Sequence, residues 1–462
     1  MEFVVGILLL LTFFGLAYYC IKGHNLMIGF LIITILWTAL SFLGAAFASP
    51  EFLSTTAFYS NGEPVKAIAI LNKIYQSAPE GWGTTLVNVC WGAWFGRVLM
   101  ETGIASTLIR KTVELGGDKP MVTIALLNIV TAIIFTAMTG AGPVIAIGVI
   151  VLPIMMSLGV PKAIAMFSFM ESVAAGIYLN PVNFAQYRAF FIDVDEMPNF
   201  TLGWYAGKWG YAALIISVVV TTILASFFLK KSKTSHAWAA QTRGASEQKD
   251  APLYTLILPI VPVVLKIWLD FSVIGGFVIA GFAALFLCGK MKGSFKENCQ
   301  LVNKLYYDGV VDTAPLVGFL LTLPMFNTCA SYASPYFKEV LGGIMPTNEY
   351  VVCALFAALS ILGFFRGPLT LYGCGAATLG VLSAVGHFSV PFLFCVFTIP
   401  ATTVNVGSCI TQSWIAWGLA YTKVESRDYL KLSIPFAYIC SILLYILTAF
   451  TVTGLGPEWF LS

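Results

Sequence analysis

The sequence predicts an all-α, polytopic membrane protein made of two inverted-topology repeats. Of its 462 residues, 58% are hydrophobic and 10% are charged, and the mean hydropathy is +0.87. Apolar runs of membrane-spanning length recur from one end of the chain to the other. Features of the first half return roughly 220 to 228 residues later, which indicates an internal duplication.

The first repeat is expected to occupy residues 1–229. Its opening apolar run lacks a basic n-region and a small-residue cleavage site, so we expect a retained first helix. Glycine, proline and asparagine interrupt later runs at 139–143 and 180–183, which predicts a hairpin and a broken helix. The expected elements are apolar runs at about 3–20, 26–48, 84–108 and 204–229, a polar stretch at 49–82, the hairpin at about 121–158 and the broken helix at about 164–191.

The second repeat is expected to occupy residues 252–462, after a polar, lysine-containing cytoplasmic linker at 230–251. It repeats the order of elements of the first half, again with one hairpin and one broken helix. The expected elements are apolar runs at about 252–270, 271–288, 306–333 and 433–455, the hairpin at about 349–386 and the broken helix at about 390–421, with its break at 401–408.

Loop charges predict the orientation of the spans. The basic loops are assigned to the cytoplasm, and the acidic or balanced loops to the outside. This assignment is consistent only if each hairpin is re-entrant, entering and leaving the bilayer on one side, which gives about ten full spans plus two hairpins. The predicted location is the inner, cytoplasmic membrane, and the chain is expected to cross its lipid bilayer several times. The basic loops contain Lys22, Arg110, Lys111 and the lysines at 230–233, 290–304 and 423–431.

Composition argues against several function classes. A net charge of +3, with basic residues clustered in loops, gives no indication of nucleic-acid binding. The ten cysteines are scattered singly, and the three histidines are widely separated, so no metal site or cofactor is expected beyond a coupling ion. No catalytic constellation is present in a soluble context, and we therefore expect no enzyme.

Arg366 is the main candidate for a binding residue. It stands within a long apolar segment, where a charge costs about 3 kcal/mol or more unless it is paired or faces a watery cavity. Gly367 and Pro368 follow it directly and predict that the helix stops there. The guanidinium fork matches a carboxylate, so we expect a small organic anion as ligand. The alternative is an arginine that pairs with a membrane acid to hold two helices together.

The two hairpin tips and the two helix breaks are expected to converge near the middle of the membrane. Half-helix N-termini attract anions there, and unwound carbonyl groups attract cations. Hydroxyl and amide side chains around these points suit a solute with carboxylates and hydroxyls. For each of them, a bond to a neighbouring helix is an equally open alternative. The candidates are Thr139, Asn180, Asn183, Gln186, Arg366, Thr370, Thr402, Thr403, Asn405, Ser408 and Gln412.

Three acidic residues lie in apolar spans. Glu171 is in the span that breaks at 180, and a buried carboxyl group that changes its exposure can couple proton binding to transport. The alternative for Glu171 is an ion pair with an arginine. Asp312 is the second candidate for binding the coupling ion. The alternative is that its side chain simply reaches water. Glu101 is four residues after Arg97, a spacing that predicts an intrahelical pair.

Residues 80–86, Glu-Gly-Trp-Gly-Thr-Thr-Leu, and the stretch from Phe95 to Leu108 resemble the third-span region of the gluconate permease family. That family belongs to the ion transporter superfamily of secondary carriers. The resemblance implies an elevator-type fold, with a scaffold part that forms a homodimer and a moving part that contains the hairpins and broken helices. It also implies a substrate site formed by Thr139, Gly140, Asn180, Pro181, Arg366, Gly367 and Thr403 to Asn405.

The sequence thus predicts a secondary active transporter of a small organic anion, of the carboxylate or sugar-acid type. Transport would be symport with H⁺ or Na⁺ through an elevator mechanism. A sodium motif of the Ser-Asn-Thr kind is absent, which favours protons. The nearest alternative is a cation/proton antiporter, in which Arg366 would serve as a counter-ion. A further, less favoured alternative is an integral membrane enzyme.

Overall fold

The computed structural model describes residues 2–21, 24–54, 56–60, 63–117, 119–191, 199–232, 250–341, 346–372, 375–385 and 388–455. Most of the predicted linker, at 233–249, lies outside these residues. Within them the chain consists of α-helices with short π-helical and 3₁₀ segments, joined by loops, and of one two-stranded antiparallel ladder in the polar stretch after the second helix. The strands of that ladder are β1 (Tyr59–Ser60) and β2 (Glu63–Pro64).

The first part of the chain forms seven helices and differs from the prediction at one point. The expected single run at 84–108 is split into two helices at Gly103, which adopts a φ of 76°. Glycine is the residue that enters this left-handed region without steric cost, so the turn is placed there. The helices are α1 (Glu2–Ile21), α2 (Leu26–Phe47), α3 (Pro50–Ser54), α4 (Ala67–Asn72), α5 (Ala78–Gly81), α6 (Gly83–Glu101) and α7 (Ile104–Gly116).

The predicted first hairpin and first broken helix are both present as pairs of helices. The hairpin helices are separated by residues 136–140, and the two halves of the broken helix are bent by 68° at residues 178–180. A proline at the first position of the second half fits a helix start. The elements are α8 (Pro120–Phe135), α9 (Ala141–Ser157), α10 (Lys162–Ile177), α11 (Pro181–Arg188), α12 (Leu202–Tyr205) and α13 (Tyr211–Lys231).

The second half contains the longest helix, whose 47 residues extend well beyond the expected run at 306–333. In the second hairpin a 3₁₀ segment, Ser360–Arg366, follows the first helix with a bend of 64°. Residues 373, 374 and 386 of the predicted hairpin lie outside the described part. The elements are α14 (Val261–Leu269), α15 (Val273–Leu287), α16 (Phe295–Leu341), α17 (Glu349–Ala358), α18 (Gly375–Val385), α19 (Val390–Ile399), α20 (Ser413–Thr422) and α21 (Ser426–Thr451).

The second break lies later in the chain than predicted. Residues Pro400–Ser408 continue α19 as a π-helix, and the chain becomes extended at Cys409, with φ −87° and ψ 121°. Proline has no amide proton to donate, and the wider π turn accommodates it without ending the helix. The prediction of a break at 401–408 is therefore wrong, and the break lies at residues 409–412.

Four described helices are long and apolar enough to cross a membrane, or up to six if each bent pair counts as one span. Shorter apolar helices add to these, at Glu2–Leu16, Pro120–Phe135, Ala141–Ser157 and Val273–Leu287. The chain is thus an all-α, multi-pass membrane protein. The number of ten spans, the re-entrant course of the hairpins and the inverted repeats stay predictions.

The two broken helices form the centre of the molecule. Every residue of α10 from Ile164 to Ile177 is buried, and so are residues 391–399 of α19 and the whole π-helical segment Pro400–Ser408. Beside them, α6 and α16 cross in close contact: a Cβ atom added to Gly309 would lie 2.9 Å from the backbone of Ala93 and Trp94. The crossing therefore depends on glycine at 309.

We predict that Gly309→Ala lowers the melting temperature of the purified protein by several degrees. The added methyl group would meet backbone atoms of α6, and overpacking of this kind costs about 1–3 kcal/mol. Gly15→Ala in α1 is the matched control, because no atom lies within 4 Å of a Cβ there. Equal melting temperatures for the two variants would contradict the close crossing.

Candidate functional site

Asn180 holds the first break and the tip of the first hairpin together. Its side-chain Oδ1 accepts hydrogen bonds from the amides of Val182 (2.9 Å) and Asn183 (3.2 Å), which caps the start of α11. Its Nδ2 donates to the carbonyls of Phe135 and Met138, both at 3.0 Å, at the end of α8. One fully buried amide thereby satisfies backbone groups on both sides of the junction.

The first hairpin tip is formed by residues 136–140. Thr139 is buried, and Gly140 has a φ of 96°, where a side chain would be strained. Helix α9 begins at the next residue, Ala141, so its first amides face the tip region. The structure thus places Thr139 and Gly140 beside the first break, as predicted.

Two tyrosines of the first broken helix contact the second. The Tyr178 hydroxyl lies 2.5 Å from Thr403 Oγ1, and the Tyr187 hydroxyl lies 2.9 Å from Thr402 Oγ1. All four side chains are buried. Thr402 and Thr403 therefore bind helix α10–α11, which is the structural alternative left open for them, and both lie within the predicted centre.

Arg366 joins the second hairpin to the second break. Its Nη1 donates to the carbonyl of Tyr372, and its Nη2 donates to Oε1 of Gln412, both at 3.2 Å. Gln412 is the residue that precedes α20. Phe365 and Arg366 have φ values of 54° and 61°, a left-handed conformation that non-glycine residues adopt rarely and mostly at functional sites.

The residues after Arg366 explain the shape of this tip. A Cβ atom at Gly367 would lie 2.1 Å from the carbonyl oxygen of Leu362, so only glycine fits. The Tyr372 hydroxyl donates to Gln186 Oε1 at 2.7 Å, which connects the second hairpin to α11. Through these bonds, both tips and both breaks belong to one connected set of hydrogen bonds. The location of this set near the middle of the membrane stays a prediction.

Several buried polar atoms at this centre have no hydrogen-bond partner among the described residues. Such atoms cost about 1–3 kcal/mol each when left unsatisfied, and in native proteins each one calls for an explanation such as a ligand or a water. Carbonyl and hydroxyl oxygens are represented, as are amide donors. The atoms are Asn183 Oδ1, Gln186 Nε2, Thr370 Oγ1, Asn405 Oδ1 and Asn405 Nδ2.

Glu171 lies beside the second break. Its side chain is fully buried, and its Oε1 accepts a hydrogen bond from Ser408 Oγ at 2.7 Å. Its Oε2 has no partner in the described part of the chain and lies against Gly407, where a Cβ atom would be 2.1 Å away. No arginine or lysine among the described residues forms an ion pair with Glu171, which argues against the alternative of an arginine pair. Ser408 thus contacts the coupling candidate.

The π-helical segment before the break ends with its carbonyls capped by distant side chains. Trp414 Nε1 donates to the carbonyl of Val406 at 3.0 Å, and Ser433 Oγ donates to that of Ser408 at 3.2 Å. The Tyr429 hydroxyl donates to the carbonyl of Gly407. These bonds satisfy groups that every helix end exposes, and they fix where the helix stops.

The predicted pair of Arg97 with Glu101 is wrong. Arg97 Nε and Nη2 donate to the two carboxylate oxygens of Asp312, both at 2.6 Å, and Glu101 instead forms an ion pair with Lys290 at 3.2 Å. A bidentate arginine–carboxylate pair is stronger than a contact along one helix. The close crossing of α6 and α16 brings Asp312 into reach, and sequence spacing gives no indication of that crossing.

Sequence reasoning missed the tyrosines that connect the elements, Tyr178, Tyr187 and Tyr372. The available signal was their position: Tyr178 and Tyr187 flank the first break, and a buried tyrosine hydroxyl usually finds a polar partner. Their partners are 186 to 225 positions away in the chain. The pairing itself therefore depends on the tertiary fold.

Apolar helices, two of them broken, surround a buried polar centre with a partly buried arginine at its edge, an arrangement typical of membrane transporters. Comparison with known proteins supports this class. Residues 89–291, a little under half of the chain, match the family described as DcuC, C4-dicarboxylate anaerobic carrier. No curated protein matches the chain as a whole at significant similarity. The expectation of a carrier and not an enzyme is confirmed by the family match.

The fold is similar to a solved transporter structure. The crystal structure of the Alcanivorax borkumensis YdaH transporter, described as having an unusual topology, superposes with a TM-score of 0.62. The similarity covers 94% of this chain and all of that one, at 14% sequence identity. At this identity the likeness establishes the fold alone. The resemblance to gluconate permeases is thus supported at the level of a carrier, whereas the matching family is a dicarboxylate carrier.

We predict that Asn180→Ala destabilises the protein by about 2–4 kcal/mol, because it removes a cap and leaves two buried carbonyls unsatisfied. Asn348→Ala is the matched control. Asn348 Oδ1 caps α17 through the amides of Tyr350 (2.9 Å) and Val351 (3.2 Å), in an exposed position without the additional carbonyl bonds. Thermal unfolding of both variants measures the difference. A loss in Asn180→Ala no larger than in Asn348→Ala would contradict the bridging role.

Proposed function

We propose that this chain is a secondary active transporter of small organic anions, with C4-dicarboxylates as the substrate class. The observation that carries the proposal is the position of Arg366, held by Gln412 where the second hairpin tip meets the second helix break. The matched dicarboxylate carrier family supports the same substrate class.

The chemistry around Arg366 suits a carboxylate. The guanidinium offers a planar fork of donors, and the buried amide donors Gln186 Nε2 and Asn405 Nδ2 have no partner among the described residues. Helices α11 and α20 begin at the two breaks, and helix N-termini attract negative charge. A dicarboxylate bound between the breaks would meet both kinds of donor.

The other predicted site residues are given two kinds of role. Asn183 Oδ1 and Thr370 Oγ1 are buried acceptors without described partners. They could accept a hydrogen bond from a hydroxyl group of the substrate or from a water bound beside it. Thr402 and Thr403 position the two broken helices through Tyr187 and Tyr178. Thr139, Gly140, Asn180 and Gly367 shape the tips and the first break.

For coupling, we propose Glu171 and a proton. Glu171 is fully buried, with the Ser408 hydroxyl as the partner of Oε1 and no described partner for Oε2. An ionised carboxylate is costly in such surroundings, so a carboxyl group here suits the uptake and release of a proton. Na⁺ coupling and Asp312 remain the second candidates, and Asp312 would have to leave Arg97 to take part.

The alternating-access part of the proposal is an elevator motion within a homodimer in the cytoplasmic membrane. It is supported by the hydrogen bonds that connect both hairpins to both broken helices, because elements joined in this way move together. Helices α6 and α16, which lie roughly one repeat length apart in the sequence, cross closely beside this group and suit a scaffold.

We predict that Arg366→Ala abolishes stabilisation by succinate while the protein stays folded. A ligand that binds only the folded state raises the free energy of unfolding, by about 2.7 kcal/mol at a free ligand concentration of 100 times Kd. The melting temperature rises accordingly. The measurement is a thermal-shift titration with succinate. Arg427→Ala, a change at an exposed arginine in the first turn of α21, is the control and should behave as the wild type. A normal shift in Arg366→Ala would exclude Arg366 from the binding site.

We predict that Glu171→Gln stops proton-driven succinate uptake and leaves succinate exchange intact. Glutamine keeps the size of the side chain and the bond from Ser408, but it cannot take up and release a proton. The measurement is uptake into proteoliposomes with and without an imposed pH gradient. Glu425→Gln, at the exposed residue before α21, is the control. Unaltered response to the gradient in Glu171→Gln would remove Glu171 from the coupling mechanism.

A further inference from the structure

A second arginine inside the protein is already bound to a carboxylate. Arg97 on α6 forms a bidentate pair with Asp312 on α16, with both distances at 2.6 Å. The side chains are 28% and 14% exposed, so the pair is only partly screened by solvent. The geometry is that of an arginine that recognises a carboxylate ligand.

The carboxylate of Asp312 also lies against the start of the first hairpin's second helix. A Cβ atom at Gly142, in the first turn of α9, would lie 2.1 Å from Asp312 Oδ2 and 2.8 Å from Oδ1. The group therefore occupies the space next to the helix N-terminus, where negative charge is favoured. An arginine and a helix start thus face one carboxylate.

Arg97 also lines a cavity of about 220 Å³. Its charged lining residues are Arg97, Glu101, Lys304 and Asp308, and the remainder are methionine and leucine side chains. Glu101 is neutralised by Lys290, and Lys304 forms no ion pair within the described residues. The cavity is large enough for a four-carbon dicarboxylate, and the Arg97 side chain lines it.

We propose that Arg97 is a second carboxylate-binding site of the transporter, and that Asp312 is its resident, displaceable ligand. A substrate carboxylate that enters the cavity replaces the Asp312 carboxylate on Arg97, and Asp312 returns when the substrate leaves. This inference rests on the proposed transport of dicarboxylates. It adds a place where the substrate is held apart from Arg366.

The competition between Asp312 and substrate makes the proposal testable. Asp312→Asn keeps the shape of the side chain and removes the competing charge, so the half-saturating succinate concentration for counterflow should fall by roughly three- to tenfold. Arg97→Gln should raise that concentration by roughly tenfold or more. The double variant lacks both charges, avoids a buried unpaired acid and should behave as Arg97→Gln does.

The measurement is succinate counterflow in proteoliposomes, with the melting temperature of each variant recorded beside it. Asp428→Asn, which removes the acid from the exposed pair with Lys431, is the control and should leave half-saturation unchanged. An unchanged or higher half-saturating concentration in Asp312→Asn would overturn the proposal, as would wild-type half-saturation in the double variant. Either result would leave the pair as a structural contact between α6 and α16.

The same experiment separates this inference from the proposed function. If Arg366→Ala loses succinate binding and Asp312→Asn behaves as the wild type, the Arg97 site is overturned and the transport proposal stands. If Arg366→Ala binds succinate normally and Asp312→Asn shows the lower half-saturation, the Arg97 site stands and Arg366 is excluded. If the wild type neither binds nor exchanges succinate, both proposals are overturned.

Discussion

The fold of this protein depends on satisfying broken backbone hydrogen bonds inside an apolar interior. A helix that stops within a membrane exposes amides and carbonyls, and no water is at hand to bind them. Asn180 meets this constraint at the first break, where one amide side chain serves two amides and two carbonyls. At the second break, Trp414, Tyr429 and Ser433 cap successive carbonyls. Because Asn180 also bonds the end of α8, and the caps of the second break come from α20 and α21, each break is a junction that holds separate elements together.

Between these junctions lies a polar centre in which several buried atoms form no hydrogen bond with the described residues. Arg366 stands at the second junction in a left-handed conformation, and polar atoms of Asn183, Thr370 and Asn405 are buried without partners among the described residues. Buried polar atoms without partners cost about 1–3 kcal/mol each, and a ligand with both donor and acceptor groups, or a water, would satisfy them. Glu171 accepts a hydrogen bond from Ser408, the residue directly before the second break. The proposed anion site and the proposed proton site therefore lie at the same helix end.

Local chemistry was enough to predict much of this arrangement. Glycine and proline at 140, 181, 367 and 368 mark the tips and the first break, and their effect on the backbone is visible in the sequence itself. The second break was placed several residues too early, because its position is fixed by side chains 8 to 25 residues further on. The pair of Arg97 with Asp312 was not predicted, since its partners are 215 residues apart and meet only where α6 crosses α16. Contacts between the two halves of the chain are long-range, and periodicity carries no information about them.

The most direct test of the central claim is a structure determined by electron cryomicroscopy with succinate present. The account predicts density for the dicarboxylate between the two breaks, with one carboxylate within hydrogen-bond distance of Arg366 and the buried amides of Gln186 and Asn405 turned towards it. Density for succinate at a place remote from Arg366, with the two breaks unchanged from the arrangement described above, would contradict the account.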